Sequence, residues 1–367
     1  MKKIGIITHY DVHNHGAVLQ LYALSRVLNE LGYEAKALTF NKNFDFIMDR
    51  DPNKKYNISL RSIPYYFGYL FKKGIRRTLF NIKKRKLLLN FKEQEKLVGQ
   101  FYATATDLDA VVIGSDEIFS VEVGLNPWFF GIGVPNKKQI SYAASFGPTN
   151  IELIEKHNAS GLVYGGLRNI RCISVRDENS QHIVEHYTEK KPVIVCDPVL
   201  LYSGLKDLIG KTNGNKVCKN KYVVVYSYDN NMNSKEEVSC IREYAKKIGA
   251  KIVSVGYYHK WCDKNVVAKP LELFELFSKA EMVFTDTFHG SVISLVSNTQ
   301  FQCKIRGNGN KLRFLLEQYN LGNRIVDSFA TQDIDLIDYK KINGLIDSYR
   351  EKSLEFLKES LLEIKND

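Results

Sequence analysis

Long hydrophobic runs are missing from this chain: none approaches the about 18 consecutive apolar residues that a membrane-crossing helix needs. Cysteine is scarce. Six residues with no C-x-x-C pair point to reduced, mostly buried thiols and away from a disulfide framework or a cysteine metal site. Cys196, Cys218, Cys240 and Cys262 recur every 22 residues, but their flanks (DPVLL, KNKYV, IREYA, DKNVV) share nothing, so the spacing is not a repeat. There is no P-loop, no G-x-S-x-G elbow and no H-E-x-x-H. The glycine pairs Gly131/Gly133 and Gly307/Gly309 fall short of the dinucleotide pattern, which leaves NAD chemistry unsupported. Zinc-finger spacing and ribonucleoprotein aromatics are absent too, so nucleic acid is not an expected partner.

What is present is ordinary globular material in quantity. At 367 residues, with 44% hydrophobic and 25% charged residues, the chain is long enough for two cores. A formal charge of +11 implies an anionic partner. Much of the excess is local: from Lys72 to Lys96 ten Lys or Arg stand against two Glu. That stretch reads as a solvated helix or as a membrane-surface helix facing anionic headgroups, with Lys83, Lys84, Arg85 and Lys86 at its centre. The opening MKKIGIITHYD has an apolar run only from Ile4 to Ile7 before His9 and Asp11, so it reads as a buried strand rather than an export signal. The expected location is cytoplasmic, with peripheral contact at the inner face of the cytoplasmic membrane.

Periodicity gives the architecture. KKIGIIT is a strand, HYDVHNHG a polar turn, and AVLQLYALSRVLNEL places Leu19, Ala23, Leu24, Val27, Leu28 and Leu31 on one helical face; Gly32 ends that helix before the strand YEAKALTF. DAVVIGSDEIF, KKQISYAASFG, RCISVRDENS and VIVCDPVLL continue as strands ending in small or polar residues. A polar, lysine-rich linker falls near 203–221, and the alternation restarts with KYVVVYSY, ending in MVFTD and the turn before VISLVSN. The expectation is α/β: two doubly wound, Rossmann-like domains facing across a cleft. They span residues 1–205, with a basic helical insertion at about 60–100, and 220–338; a helix over 339–367 packs across both.

Parallel sheets bind ligands at the carboxyl ends of their strands. Asn14 and Gly16 stand at the first such turn, with His15 between them. His289, Gly290 and Ser291 stand at another, where free helix N–H groups would hold a phosphate or carboxylate; a capping turn with an incidental histidine is the other reading. The helix terminus favours neutral imidazole at His289, while nearby Asp286 favours imidazolium. Arg176 follows a buried strand and suits paired bonds to an oxyanion, or an ion pair with Asp177 or Glu178. Asp116 is a cleft carboxylate or a helix N-cap. His9, His13 and His15 read as polar turn chemistry rather than metal ligands.

Together, NHGAVLQLYAL, VVIGSDEIF, QISYAASFG, ISVRDENS, DPVLL and TDTFHGSVIS, in this order over nearly the whole chain, resemble the polysaccharide pyruvyl transferase family. The resemblance implies a GT-B-like transferase with no metal and no cofactor. Its donor is phosphoenolpyruvate, and its product a cyclic pyruvate ketal on a sugar of a surface polysaccharide or a lipid-linked precursor. It implies His289 as general acid, Asp116 as a carboxylate near the reacting hydroxyl, and Arg176 on the donor, with Asn14, Gly16, Gly290, Ser291, Lys311 and Arg313 around it. Characterised relatives that read Arg-Leu-His at this turn carry an arginine two residues before the histidine, where this chain has Thr287. Lys304, Arg306, Lys311 or Arg313 then replaces it, or the donor differs. A glycosyltransferase using a nucleotide sugar and a non-catalytic glycan- or membrane-binding protein are the alternatives.

Overall fold

Apolar strands that each run into an amphipathic helix can bury their faces only in a parallel sheet covered on both sides. That is what the computed structural model contains, twice. It describes residues 2–40, 74–211, 220–307, 309–329 and 335–364. The part of the expected insertion before residue 74, residues 212–219 of the expected linker and residues 365–367, where the last helix was expected to continue, lie outside the described residues.

The first sheet is built from β1 (Lys2–Ile7), β2 (Tyr33–Thr39), β3 (Val98–Phe101), β4 (Ala110–Ile113) and β5 (Gln139–Ser141), in the order β3-β2-β1-β4-β5. All its pairings are parallel. β6 (Ser174–Val175) and β7 (Val193–Ile194) pair with each other and extend this sheet through bridges from Ile140 to Cys172 and from Ala144 to Val175. The second sheet repeats the pattern with β8 (Tyr222–Tyr226), β9 (Lys251–Val255), β10 (Lys264–Val266), β11 (Val283–Thr285) and β12 (Phe301–Cys303), in the order β10-β9-β8-β11-β12. In each sheet the order reverses between the first and fourth strands, and the helices that matter start there.

Helix α1 (His15–Glu30) follows β1 and buries nearly all its residues, because its far side is covered by the rest of the molecule. Helix α2 (Ile75–Gln94) carries the basic run. Its inner face meets the second domain: Arg77 Nε donates to Asp229 at 2.7 Å, Phe80 packs edge-on to Tyr258, and Lys84 Nζ lies 4.4 Å over the Tyr257 ring. Lys84 is therefore buried, a correction to the expectation that Lys83, Lys84, Arg85 and Lys86 face outward together. Helical phase explains it, since residue 84 lies half a turn from the outer face. The last helix, named α11 below, runs over Tyr339–Glu363. It ties Tyr339 to the Ser294 carbonyl of the second domain, Ser353 to the Cys196 N–H and Glu363 to Arg171 of the first.

A buried histidine joins the domains. His15 Nε2–H donates to the Ala268 carbonyl at 2.9 Å, and burial, reinforced by the Lys84 charge, pushes its pKa from 6.5 down to about 4. The folded protein then resists a proton that the unfolded chain accepts below pH 6.5, so this group's contribution is full above 6.5 and is lost as pH falls towards 4. The shift corresponds to about 3 kcal/mol. The melting temperature should fall over that window, and His15→Gln, which keeps an N–H for Ala268, should flatten the slope; an unchanged slope would deny His15 this role.

Candidate active site

The first wall of the cleft is set by the ends of β1 and β4. Gly114 has φ +129°, and a Cβ there would meet the Tyr142 carbonyl at 2.1 Å, so the chain leaves β4 by a path open to glycine. Asp116 follows at φ +79°, a left-handed conformation uncommon outside glycine and concentrated at functional sites. Buried hydrogen bonds among Thr8, Gln20 and Ser115 fasten the two strand ends together. Asp116 caps no helix: its Oδ1 takes the Glu117 N–H within a turn.

Arg176, at the end of β6, is buried. Its Nη1 donates to Asp197 at 2.8 Å and its Nη2 lies 3.7 Å from Asp116. The expected structural partner Asp177 is instead the N-cap of α5 (Glu178–Tyr187), after the short helices α3 (Ile151–Lys156) and α4 (Ser160–Asn169). From the second domain, Phe288 brings its ring face to 4.3 Å from the guanidinium, a cation–π contact across the cleft. His289 follows Phe288 in the first turn of α9 (Phe288–Val296), which comes after α6 (Pro198–Leu201), α7 (Lys235–Lys247) and α8 (Glu272–Ser278). Its Nε2 is 3.7 Å from Asp197 Oδ2. Lys311, in α10 (Asn310–Gln318), pairs with Glu117 across the cleft and lies 5.6 Å over the Phe288 ring.

The charges are unevenly matched: Asp116, Asp197 and Glu117 face Arg176 and Lys311. Burial pushes the His289 pKa down, and Arg176 and Lys311 add to that against the opposing pull of Asp197 and Asp116. Burial works the other way on Asp116, but Arg176, His289, His9 and Lys311 outweigh it and hold the carboxyl well below its usual range. The free site therefore presents a neutral imidazole and an ionised Asp116. Arg176 Nε and Nη2 and His289 Nε2 are buried without hydrogen-bond partners. Buried polar groups that make no hydrogen bond call for a guest that completes one.

Several residues read from the sequence have other duties. Thr287 caps α9 by accepting the Gly290 N–H at 2.9 Å, and its carbonyl takes the Ser291 N–H. Gly290 and Ser291 therefore do not offer free N–H groups to a donor, and Ser291 is fully buried. Asp286 is held by Arg306, so the acids beside His289 come from the other domain. Arg306 and Lys304 both reach Glu237, and Arg313 stands exposed on α10, which leaves Lys311 as the one of the four candidate cations that reaches the cluster. Asn14 caps α1 through the Gly16 N–H and turns its amide towards the Tyr228 hydroxyl at 3.4 Å. Among the described residues no His, Cys, Asp and Glu group could hold a metal ion.

Asp197, Glu117, Phe288 and Tyr228 were not singled out by the sequence. Asp197-Pro198 carried a usable signal, a capping acid followed by proline at a strand end, which marks a helix start. Gly16 has a purpose that sequence alone does not disclose: a Cβ there would come within 2.3 Å of His289 Nδ1. Elsewhere in a helix Gly→Ala stabilises by about 1 kcal/mol. Gly16→Ala should instead displace the imidazole and lower turnover by about 10²-fold, the penalty of misplacing a group by about 1 Å; full activity would show that the imidazole position is unimportant.

Two Rossmann-like domains that bring strand ends and helix starts together over one buried polar cluster define a GT-B-like α/β protein. Its fold is shared with UDP-GlcNAc 2-epimerase from Neisseria meningitidis bound to UDP-GlcNAc, at 12% identity over 99% of this chain and 100% of that one, with a TM-score of 0.51. Similar too are the Methanocaldococcus jannaschii UDP-GlcNAc 2-epimerase in complex with UDP-GlcNAc and UDP (13% identity, 95% and 92% covered, TM-score 0.48) and the Streptomyces nogalater glycosyltransferase SnogD (10%, 96% and 94%, 0.42). No curated protein matches the chain. The chain belongs to the polysaccharide pyruvyl transferase family, whose model matches residues 14–303. No helix among the described residues is long and apolar enough to cross a membrane.

Proposed function

We propose that the protein moves the enolpyruvyl skeleton of phosphoenolpyruvate onto two hydroxyls of one sugar, in a surface polysaccharide or its lipid-linked precursor, with release of phosphate. The observation that carries this reading is the set of buried nitrogens that make no hydrogen bond, Arg176 Nε and Nη2 beside His289 Nε2, on facing sides of the cleft. A planar guanidinium whose Nε and Nη2 make no hydrogen bond suits a carboxylate or phosphate.

In the reaction a proton adds to the donor's terminal methylene, and the first sugar hydroxyl attacks the adjacent carbon and loses its proton. Phosphate then leaves with the C–O electron pair, and the second hydroxyl closes the ketal and loses its proton. One C–H and two C–O bonds form, while the C=C π bond and one C–O bond break; one of the two released protons replaces the one consumed, and the other ends on phosphate. His289 delivers the first proton. It is neutral in the free protein, and the donor's negative charge raises its pKa so that it is loaded as the donor arrives. Lys311 exchanges Glu117 for the phosphate and supplies the charge that the absent arginine gives in relatives. Asp116, held ionised, cannot be the acid; it faces the cationic carbon and orients a hydroxyl. Tyr228, half-exposed beside Asn14, offers a ring on which a sugar stacks.

Calorimetry with phosphoenolpyruvate alone, in two buffers of different ionisation enthalpy near pH 7.5, tests this reading. Binding should take up a proton in the wild type and none in His289→Gln. Binding of a nucleotide sugar with none of phosphoenolpyruvate would favour a glycosyltransferase, and binding of glycan alone a non-catalytic protein.

A further inference from the structure

Helix α2 has two apolar faces, and among the described residues just one of them is covered. Phe80, Lys84, Leu88 and Phe91 pack inward. On the opposite side Ile75, Leu79, Ile82 and Leu89 stand 67%, 53%, 59% and 43% exposed. Positions 75, 79, 82, 86 and 89 follow the i, i+4, i+7, i+11, i+14 spacing of a single stripe. Lys86 interrupts it, and Arg76 and Lys83 border one side and Arg85 the other, all exposed. Four exposed aliphatics on one stripe exceed the scattered apolar residues normal on a surface.

We propose that this outer face of α2 lies on an anionic lipid bilayer, with the four aliphatics at the acyl boundary and Arg76, Lys83, Arg85 and Lys86 at the phosphates. Charge selects the occupant: a row of cations bordering the stripe matches negative headgroups, whereas a second copy of the same face would set cation against cation. The placement suits the site. The inner face of the same helix touches Tyr257, whose ring packs edge-on to Tyr228 at 5.4 Å, and Tyr228 reaches Asn14 at the mouth of the cleft. A sugar carried on a lipid would meet the cleft beside the helix that holds the protein to the surface. That consequence rests on the proposed transfer, but the docking does not.

Co-sedimentation of the full chain with vesicles of equal parts phosphatidylglycerol and phosphatidylcholine, against pure phosphatidylcholine, involves no transfer step. The wild type should bind the anionic vesicles, and more weakly at high salt, since exposed charges are screened over about 10 Å at 0.1 M. The triple variant Lys83→Gln, Arg85→Gln, Lys86→Gln should lose roughly 10²-fold in binding, and Leu79→Gln with Ile82→Gln should lose binding while melting normally. Equal binding by wild type and both variants would overturn the proposal. So would failure to bind anionic vesicles together with a concentration-dependent dimer that Leu79→Gln with Ile82→Gln abolishes, which would assign the face to a second copy.

Discussion

Replacing His289 with alanine is expected to lower turnover by about 10² to 10⁴-fold, the contribution of a positioned acid, without unfolding the protein. The imidazole makes no hydrogen bond through Nε2, so its loss strands no strong partner. Asp197 keeps its bond to Arg176. His289→Gln separates two roles, because glutamine can donate a hydrogen bond to phosphate but cannot transfer a proton at neutral pH. Turnover should stay low in this variant while phosphoenolpyruvate binding recovers part of what alanine loses. Wild-type phosphate release in both variants, measured with a verified acceptor, would remove His289 from the chemistry. Asp116 could not then take over as the acid, since its carboxyl is held ionised.

Arg176→Lys is expected to reduce kcat/KM for the donor by roughly 10² to 10⁴-fold, chiefly through KM. Two charge-assisted hydrogen bonds to an oxyanion are lost at about 1.5 to 3 kcal/mol each. Lysine keeps the positive charge between Asp116 and Asp197 but has no planar fork and no flat face for Phe288. Arg176→Ala would be less informative, because leaving buried carboxylates unpaired costs about 3 to 5 kcal/mol by itself. Steady-state kinetics beside thermal melting checks the claim: unchanged kinetics with a large fall in melting temperature would make Arg176 a brace for the two carboxylates.

What could be read from the sequence was local. Strand and helix periods marked both sheets, and the polar turns after them marked His289, Arg176 and Asp116. The pairing of these residues is not local, because Arg176 meets Asp197 through the sheet and Phe288 through the opposing domain, and no period in the chain encodes that approach. Phase was the second obstacle. Lys311 and Arg313 are two positions apart on a helix, so one turns to the cleft and the other to solvent, and the same geometry buries Lys84 while Lys83 and Lys86 stay outside. Cap chemistry was the third: the Gly290 N–H, which looked available for an anion, is taken by Thr287. Gly16, read from the sequence as one of the residues around the donor, leaves the space that an imidazole from the other domain occupies.

The most direct measurement is product analysis after incubation with phosphoenolpyruvate and a panel of lipid-linked and aryl glycosides. The expected result is phosphate released in step with an acceptor that gains one pyruvyl group as a ketal, confirmed by mass spectrometry and slowed about 10² to 10⁴-fold in His289→Ala. Release of a nucleotide from a nucleotide sugar, with the acceptor gaining a glycosyl unit and phosphoenolpyruvate untouched, would contradict it.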